Sequence, residues 1–338
     1  MSQANWSTPS FSPQPPVQPA SPMISTLPGQ TRQAANLWQL TYNELYKLWK
    51  RRLVWGMLGL DLFFVLGAYA VLVFYSSKTT DGFTAGHLLG GANALTDGIG
   101  QPMTLGRRGG EFIVAALGGL AFGGEFSSGA IRLVLSRGVN RAAYLGAKFL
   151  ALIAVCAAMV LAELLMSAIL VNFLNLLPNA HGHAPTLLNL NGPTFLALMG
   201  VCLGTFENFV FCLLLGATVS IISRSAAFGI AAAFGYLIGE DIAAQIIPVI
   251  GKSLHVVQLS NFVNNILFTT NLNAFYANTL PKFLANGLDQ LDGVIACNTT
   301  AKACQTVSVG QSFLVPLVWV LVLGSVSVYL FVKRDVLQ

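Results

Sequence analysis

Carboxylates interrupt several apolar runs of this chain: Asp61, Glu163, Glu207 and the neighbours Glu240 and Asp241. An ionised carboxylate surrounded by hydrocarbon is costly, so each must turn toward protein or water. At a rise of 1.5 Å per residue, Glu163, Glu207 and Glu240 each fall about 20 Å from one end of their runs, and Asp61 about 12 Å. Three acids on three helices at one level, with no basic residue near it in the sequence, are a candidate polar cavity. Together with Asp61 they would attract a cationic or amphipathic cargo, or protons. The more economical alternative is that each acid is protonated or hydrogen-bonded to a neighbouring helix and faces its own direction.

Other reactive residue types lead nowhere as chemistry. His181 and His183 lie in a polar loop with no third ligand at metal-binding spacing, so no metal site is expected. No HExxH or GxSxG pattern occurs, and no catalytic residue is assigned. The sole Gly-Lys-Ser, Gly251 to Ser253, has Ile246 where a phosphate-binding loop needs its first glycine. The chain is therefore expected to bind no nucleotide. Cys156, Cys202 and Cys212 sit in apolar runs as small hydrophobes, whereas Cys297 and Cys304 share a polar loop. Those two form a disulfide if the loop faces an oxidising space.

The elements that carry these residues follow from composition. Hydrophobic residues make up 54% and charged residues 9%, against about 25% charged in a soluble domain. Runs of about 20 apolar residues recur, too long and too continuous for alternating barrel strands. The fold class is an all-α integral membrane protein in contact with the lipid bilayer. The net charge of +5 is spread over span-flanking segments and marks no nucleic-acid partner.

Residues 1–31, rich in Pro, Ser and Gln, read as a disordered tail without the basic and apolar regions of a signal peptide. Residues 32–52 are amphipathic, with Leu37, Trp38, Tyr42, Leu45, Leu48 and Trp49 opposed to Asn43, Glu44, Lys47 and Lys50. They read as an interfacial helix, anchored at the headgroups by Lys50, Arg51 and Arg52, or as a continuation of the first span. Residues 53–338 then hold six transmembrane helices, at about 53–75, 108–125, 142–172, 194–222, 226–249 and 312–332. Arg107, Arg108 and Glu111 leave the second with barely enough apolar length. The long loop 250–311 is too apolar for a linker, and Leu254 to Leu267 reads as helix lying on or dipping into the outer leaflet. With the N-terminus inside, Arg32, Lys47, Lys50, Arg51, Arg52, Arg132, Arg137, Arg141, Lys148, Arg224, Lys333 and Arg334 fall on the inner side. Only Lys78, Arg107, Arg108, Lys252, Lys282 and Lys302 fall outside. That bias predicts cytoplasmic termini in a plasma-membrane protein.

Between the second and third spans lies the one long polar, charged and helix-patterned run, Glu125 to Lys148. Ile131, Val134 and Leu135 share a face, with Arg132 and Ser136 on another. Ser127 or Ser128 can cap its start and Gly138 can end it, and Asn140 is placed to cap the next helix. The reading is a short cytoplasmic amphipathic helix. Its charges either hold headgroups, with Lys148 snorkelling, or present the helix to a soluble partner.

The order and spacing of Glu125, Gly129, Arg132, Leu135, Ser136, Arg141, Tyr144 and Lys148 resemble the segment between spans two and three of ABC-2-type permeases. Ala130 stands where that pattern usually has Thr, and Gly138 where it usually has Pro. The resemblance implies an N-terminal elbow helix, a partner ATPase that binds ATP and Mg, and a second permease subunit, identical or not. It implies export, with Glu125, Arg132, Arg137 and Arg141 docking the ATPase and no cofactor in this chain. Two other classes stay open. An intramembrane enzyme using the buried carboxylates would work without an ATPase, and a scaffold or immunity protein would move nothing.

Overall fold

A computed structural model of the chain describes residues 37–78, 94–131, 140–176, 192–279 and 308–333. Every regular element among them is helical: α1 (Leu37–Lys50), α2 (Arg52–Lys78), α3 (Ala94–Ser127), α4 (Arg141–Leu176), α5 (Gly192–Ser223), α6 (Ala226–Ser253), α7 (Val257–Ile266), α8 (Phe268–Thr279) and α9 (Val309–Lys333). The 1–31 tail, His181 and His183, Cys297 and Cys304, and Arg132 and Arg137 lie outside the described residues.

Five helices are long and apolar enough to cross a membrane: Arg52–Val71, Arg141–Phe173, Phe195–Ser223, Ala226–Gly251 and Val309–Lys333. The expected span at 108–125 is not among them. It belongs to α3, a helix of 34 residues that carries Arg107, Arg108, Glu111 and Glu125 and many glycines. Polarity and interior position go together here. α3 packs most extensively on α5 and also touches α2, α4 and α6, so few of its side chains face outward. The outward faces of α2, α6 and α9 instead carry large apolar groups such as Phe63, Ile246 and Leu321.

Glycine makes the α3–α5 contact possible. A Cβ on Gly118 would strike the Leu213 carbonyl, and one on Gly216 would strike the Ala115 carbonyl. With no hydrophobic drive between helices in lipid, such close backbone approach is a main source of packing energy. Ser220 adds a hydrogen bond of 3.1 Å to the Gly119 carbonyl.

Residue pairs fix the helix directions. Val65 meets Gly106 while Asp61 meets Gly110, so α2 and α3 are antiparallel. Asn208 reaches Glu111 and Ser220 reaches Gly119, so α3 and α5 are parallel. Asp241 pairs with Arg108 and Phe234 stacks edge-on with Phe112, so α6 opposes α3. Gly324 touches Leu214 and Ser327 meets Thr218, so α9 runs with α5. Thus α1, the end of α3, the start of α4 and the end of α9 share one end of the bundle, the α1 end.

The opposite end is closed by α7 and α8. The turn between them is tied by Asn271, whose amide donates to the Asn265 and Leu267 carbonyls at 2.6 and 2.8 Å. α8 packs on α5 and α9 with Phe268, Leu272 and Tyr276 buried, and Phe268 stacks on Phe211 at 3.8 Å. Residue 268 lies level with Phe211 and Thr279 level with Gly200, so the hairpin dips into the bundle and returns. The Trp319 indole secures it by donating to the Ile266 carbonyl at 3.0 Å. Irregular backbone at such depth is tolerable only where protein surrounds it.

Candidate functional site

At the α1 end, the chain between α3 and α4 leaves from a tight junction. α3 stops because Gly129 takes φ +69°, a left-handed conformation cheap for glycine. The Ser127 and Ser128 hydroxyls donate back to the Gly124 and Glu125 carbonyls. They therefore close α3, not open the following helix as the sequence suggested. Asn140 caps α4 as expected, its side-chain oxygen accepting the Ala142 N–H at 3.0 Å.

Across this gap Glu125 receives two donors from α4. The Tyr144 hydroxyl lies 2.5 Å from its Oε2, and the Lys148 ammonium forms an ion pair with the same oxygen. Lys148, expected to snorkel to headgroups, is 4% exposed and lies over the Phe122 ring at 4.8 Å. Burial beside Glu125 gives it a protein partner in place of lipid. Glu44 of α1 is buried nearby and bonded to Lys47 at 2.5 Å, although the sequence assigned it to the outer, polar face of α1.

The joint from α1 to α2 is a sharp break at Arg51. The Trp55 indole donates to the Trp49 carbonyl at 2.9 Å and the two rings meet edge-to-face at 4.5 Å. Lys50, Arg51 and Arg52 are exposed beside it, and Arg141 is half-buried at the start of α4. Trp38, Tyr42, Tyr46 and Trp49 are exposed along α1.

Toward the α8 end, α3 carries a charge cluster that the sequence reading missed. By sequence alone, Arg107 and Arg108 belong with the outer-loop charges. Arg107 is 3% exposed, bound to Glu111, 3.4 Å from the Asn273 side-chain oxygen and over the Tyr276 ring. Arg108 reaches both oxygens of Asp241 at 2.9 Å and Glu111 at 3.6 Å. Asn208 donates to Glu111 at 3.1 Å. Two guanidiniums thus face two carboxylates, which is how charge survives burial. The Arg107, Arg108 and Glu111 spacing of three and four residues was a readable signal for helical pairing. Asn273 and Tyr276 carry no such signal, because their stretch reads in sequence as part of the long loop 250–311.

The intramembrane carboxylates divide. Asp61 and Glu163 are fully buried, and their carboxyls lie within hydrogen-bonding reach of each other. Glu240 is elsewhere: its Oε1 accepts the Thr269 N–H at 3.0 Å, satisfying an orphan donor in the first turn of α8. Glu207 is buried with neither oxygen hydrogen-bonded.

Comparison with known families decides what this arrangement belongs to. The family described as ABC-2 family transporter protein matches residues 38–336. The chain belongs to that ABC-2 family. No curated protein matches it. This ABC-2 protein is thus a multi-pass membrane component of an ABC transporter, a family whose members generally lack catalytic motifs. The matched region takes in both ends of α3 and the helical hairpin.

Proposed function

We propose that the chain is the six-span permease subunit of an ATP-driven exporter. α2 to α6 and α9 cross the plasma membrane, with both termini and the α1 end in the cytoplasm. A second permease subunit completes the pathway, and separate cytoplasmic ATPase subunits bind ATP and Mg and drive it.

The observation that carries this reading is the Glu125–Tyr144–Lys148 junction. It straddles the 126–141 connection and ties the end of α3 to the start of α4. A push on that connection is therefore delivered to two bundle helices at once. Arg132, Arg137 and Arg141 offer cations to an acidic ATPase surface, and Glu125 passes the displacement inward. Coupling of this kind needs contacts that differ between the two transport states.

Other features support the topology. At 1.5 Å per residue α3 is about 50 Å long, more than the hydrocarbon thickness of about 30 Å. It lies beside α5 in the same direction, and its charges are answered by protein, so they never meet lipid. The exposed aromatics of α1 suit the headgroup level, with Lys50, Arg51 and Arg52 at its end.

The test is co-expression with an ABC ATPase from the same source. The two proteins should co-purify, and ATP hydrolysis should rise with cargo. Reversing Arg132 and Arg137 to Glu should abolish co-purification while leaving the permease monodisperse. Full association of that double variant, or activity without any ATPase, would refute the reading.

A further inference from the structure

The seam between α2 and α4 holds two acids that the charge cluster does not neutralise. Asp61 and Glu163 are 0% exposed, and none of their four carboxyl oxygens accepts a hydrogen bond from another described group. They face each other instead. An ionised carboxylate only accepts hydrogen bonds, so two carboxyls can bond to each other only with a proton between them.

The surroundings supply no substitute for that proton. On α3, Arg107 is the cation that Glu163 feels, but its guanidinium is bound to Glu111. On α4, the Cys156 thiol lies near Asp61; on α5, Cys202 lies near Glu163. On α8, the Tyr276 hydroxyl is within electrostatic range of Glu163 but is bonded to Thr205 at 3.1 Å. On α2, Tyr69 donates to the Ser167 carbonyl at 2.9 Å, one turn beyond Glu163. The Ser167 hydroxyl on that same turn is itself fully buried without a hydrogen-bond partner.

Asp61 is also closely packed on its α3 side. A Cβ placed on Gly110 would lie 2.6 Å from Asp61 Oδ1 and 2.6 Å from the Phe209 ring. On the α3 side, therefore, no methyl-sized space is left beside the Asp61 carboxyl.

We propose that Asp61 and Glu163 bind one proton between them, and that its release loosens the α2–α4 seam. Occupied, the pair carries at most one negative charge and bridges the two helices by a short hydrogen bond. Emptied, it places two negative charges face to face with no donor, and the helices part to admit water. The proposal does not depend on export or on an ATPase, because it concerns this chain alone.

Infrared spectroscopy of the full chain in lipid nanodiscs reads the proton directly through the carboxyl C=O stretch. At neutral pH, Asp61→Asn and Glu163→Gln should each lose the same single component, since the new amide donates to the remaining carboxylate. The double variant should lose nothing more. At alkaline pH the wild-type component should vanish and amide exchange in α2 and α4 should rise, with no such pH-dependent rise in Asp61→Asn. Loss of no component, or of two components that add in the double variant, would overturn the shared proton. Loss of the wild-type component at alkaline pH without faster exchange would overturn the role in the seam. An amide replaces a carboxyl without changing its shape, and the alkaline-pH measurement on the wild type needs no variant at all.

Discussion

The two ends of α3 are fastened in different ways. Near the α8 end, Arg107, Arg108 and Glu111 bind Asn208 of α5, Asp241 of α6 and Asn273 of α8. Those partners come from three elements distant in sequence, so this end cannot shift without breaking several bonds together. At the α1 end, Glu125 has both of its partners on α4, the next helix along the chain. The remaining contacts of this end are apolar: Gly123 packs against the Ala226 backbone of α6, and the Phe126 ring meets Phe331 of α9. Buried charge pairs to three distant elements hold one end, one ion-paired junction with apolar packing holds the other, and the 126–141 connection leaves from that junction.

Substitutions can break that contrast from either side. The largest loss is expected for Glu111→Ala, which strips Arg107, Arg108 and Asn208 of a shared acceptor. Breaking a buried pair costs about 3–5 kcal/mol, read as a large drop in apparent melting temperature in detergent. Lys148→Ala should cost about 3 kcal/mol by the same measurement, because Glu125 is left half-buried with only Tyr144. The double replacement Glu125→Gln with Lys148→Met should recover most of it, since no charge is left unpaired. It should nonetheless uncouple ATP hydrolysis from transport. If the double variant transports normally, the junction is only structural.

Gly118→Val tests whether close backbone approach holds the middle of α3 against α5. Overpacking there should cost about 1–3 kcal/mol, and an unchanged melting temperature would mean the helices lie farther apart. The smallest effect, about 1 kcal/mol, is expected for Trp319→Phe. It removes the indole donor to the Ile266 carbonyl, and amide exchange in α7 and α8 should rise while the α1 end stays unchanged.

Much of this was legible in the sequence because lipid imposes length and polarity so strictly. The apolar runs at 53–75, 142–172, 194–222, 226–249 and 312–332 each fall on a helix long enough to span. The Asn140 cap was legible from its place before an apolar run. α3 resisted because hydropathy measures contact with lipid, and α3 mostly contacts other helices. Its burial could not be seen before Asp241, Asn208 and Asn273 were brought to it from elsewhere in the chain. Lys148 was misread for a related reason: a lysine near a span end snorkels only when no acid is within reach, and Glu125 is across the turn. α8 resisted because twelve residues are too few for a span, so only partners such as Phe211 and Glu240 disclose that it is buried.

An ATPase in the cytoplasm can reach the 126–141 connection only if that connection lies on the cytoplasmic side of the membrane. A Ser136→Cys variant, in a chain whose five native cysteines are replaced by Ser or Ala, can be challenged with a membrane-impermeant maleimide. The expected result is no labelling in intact cells and full labelling once the membrane is opened. Labelling in intact cells would place the connection beyond the reach of a cytoplasmic ATPase and contradict both the proposed topology and the proposed coupling.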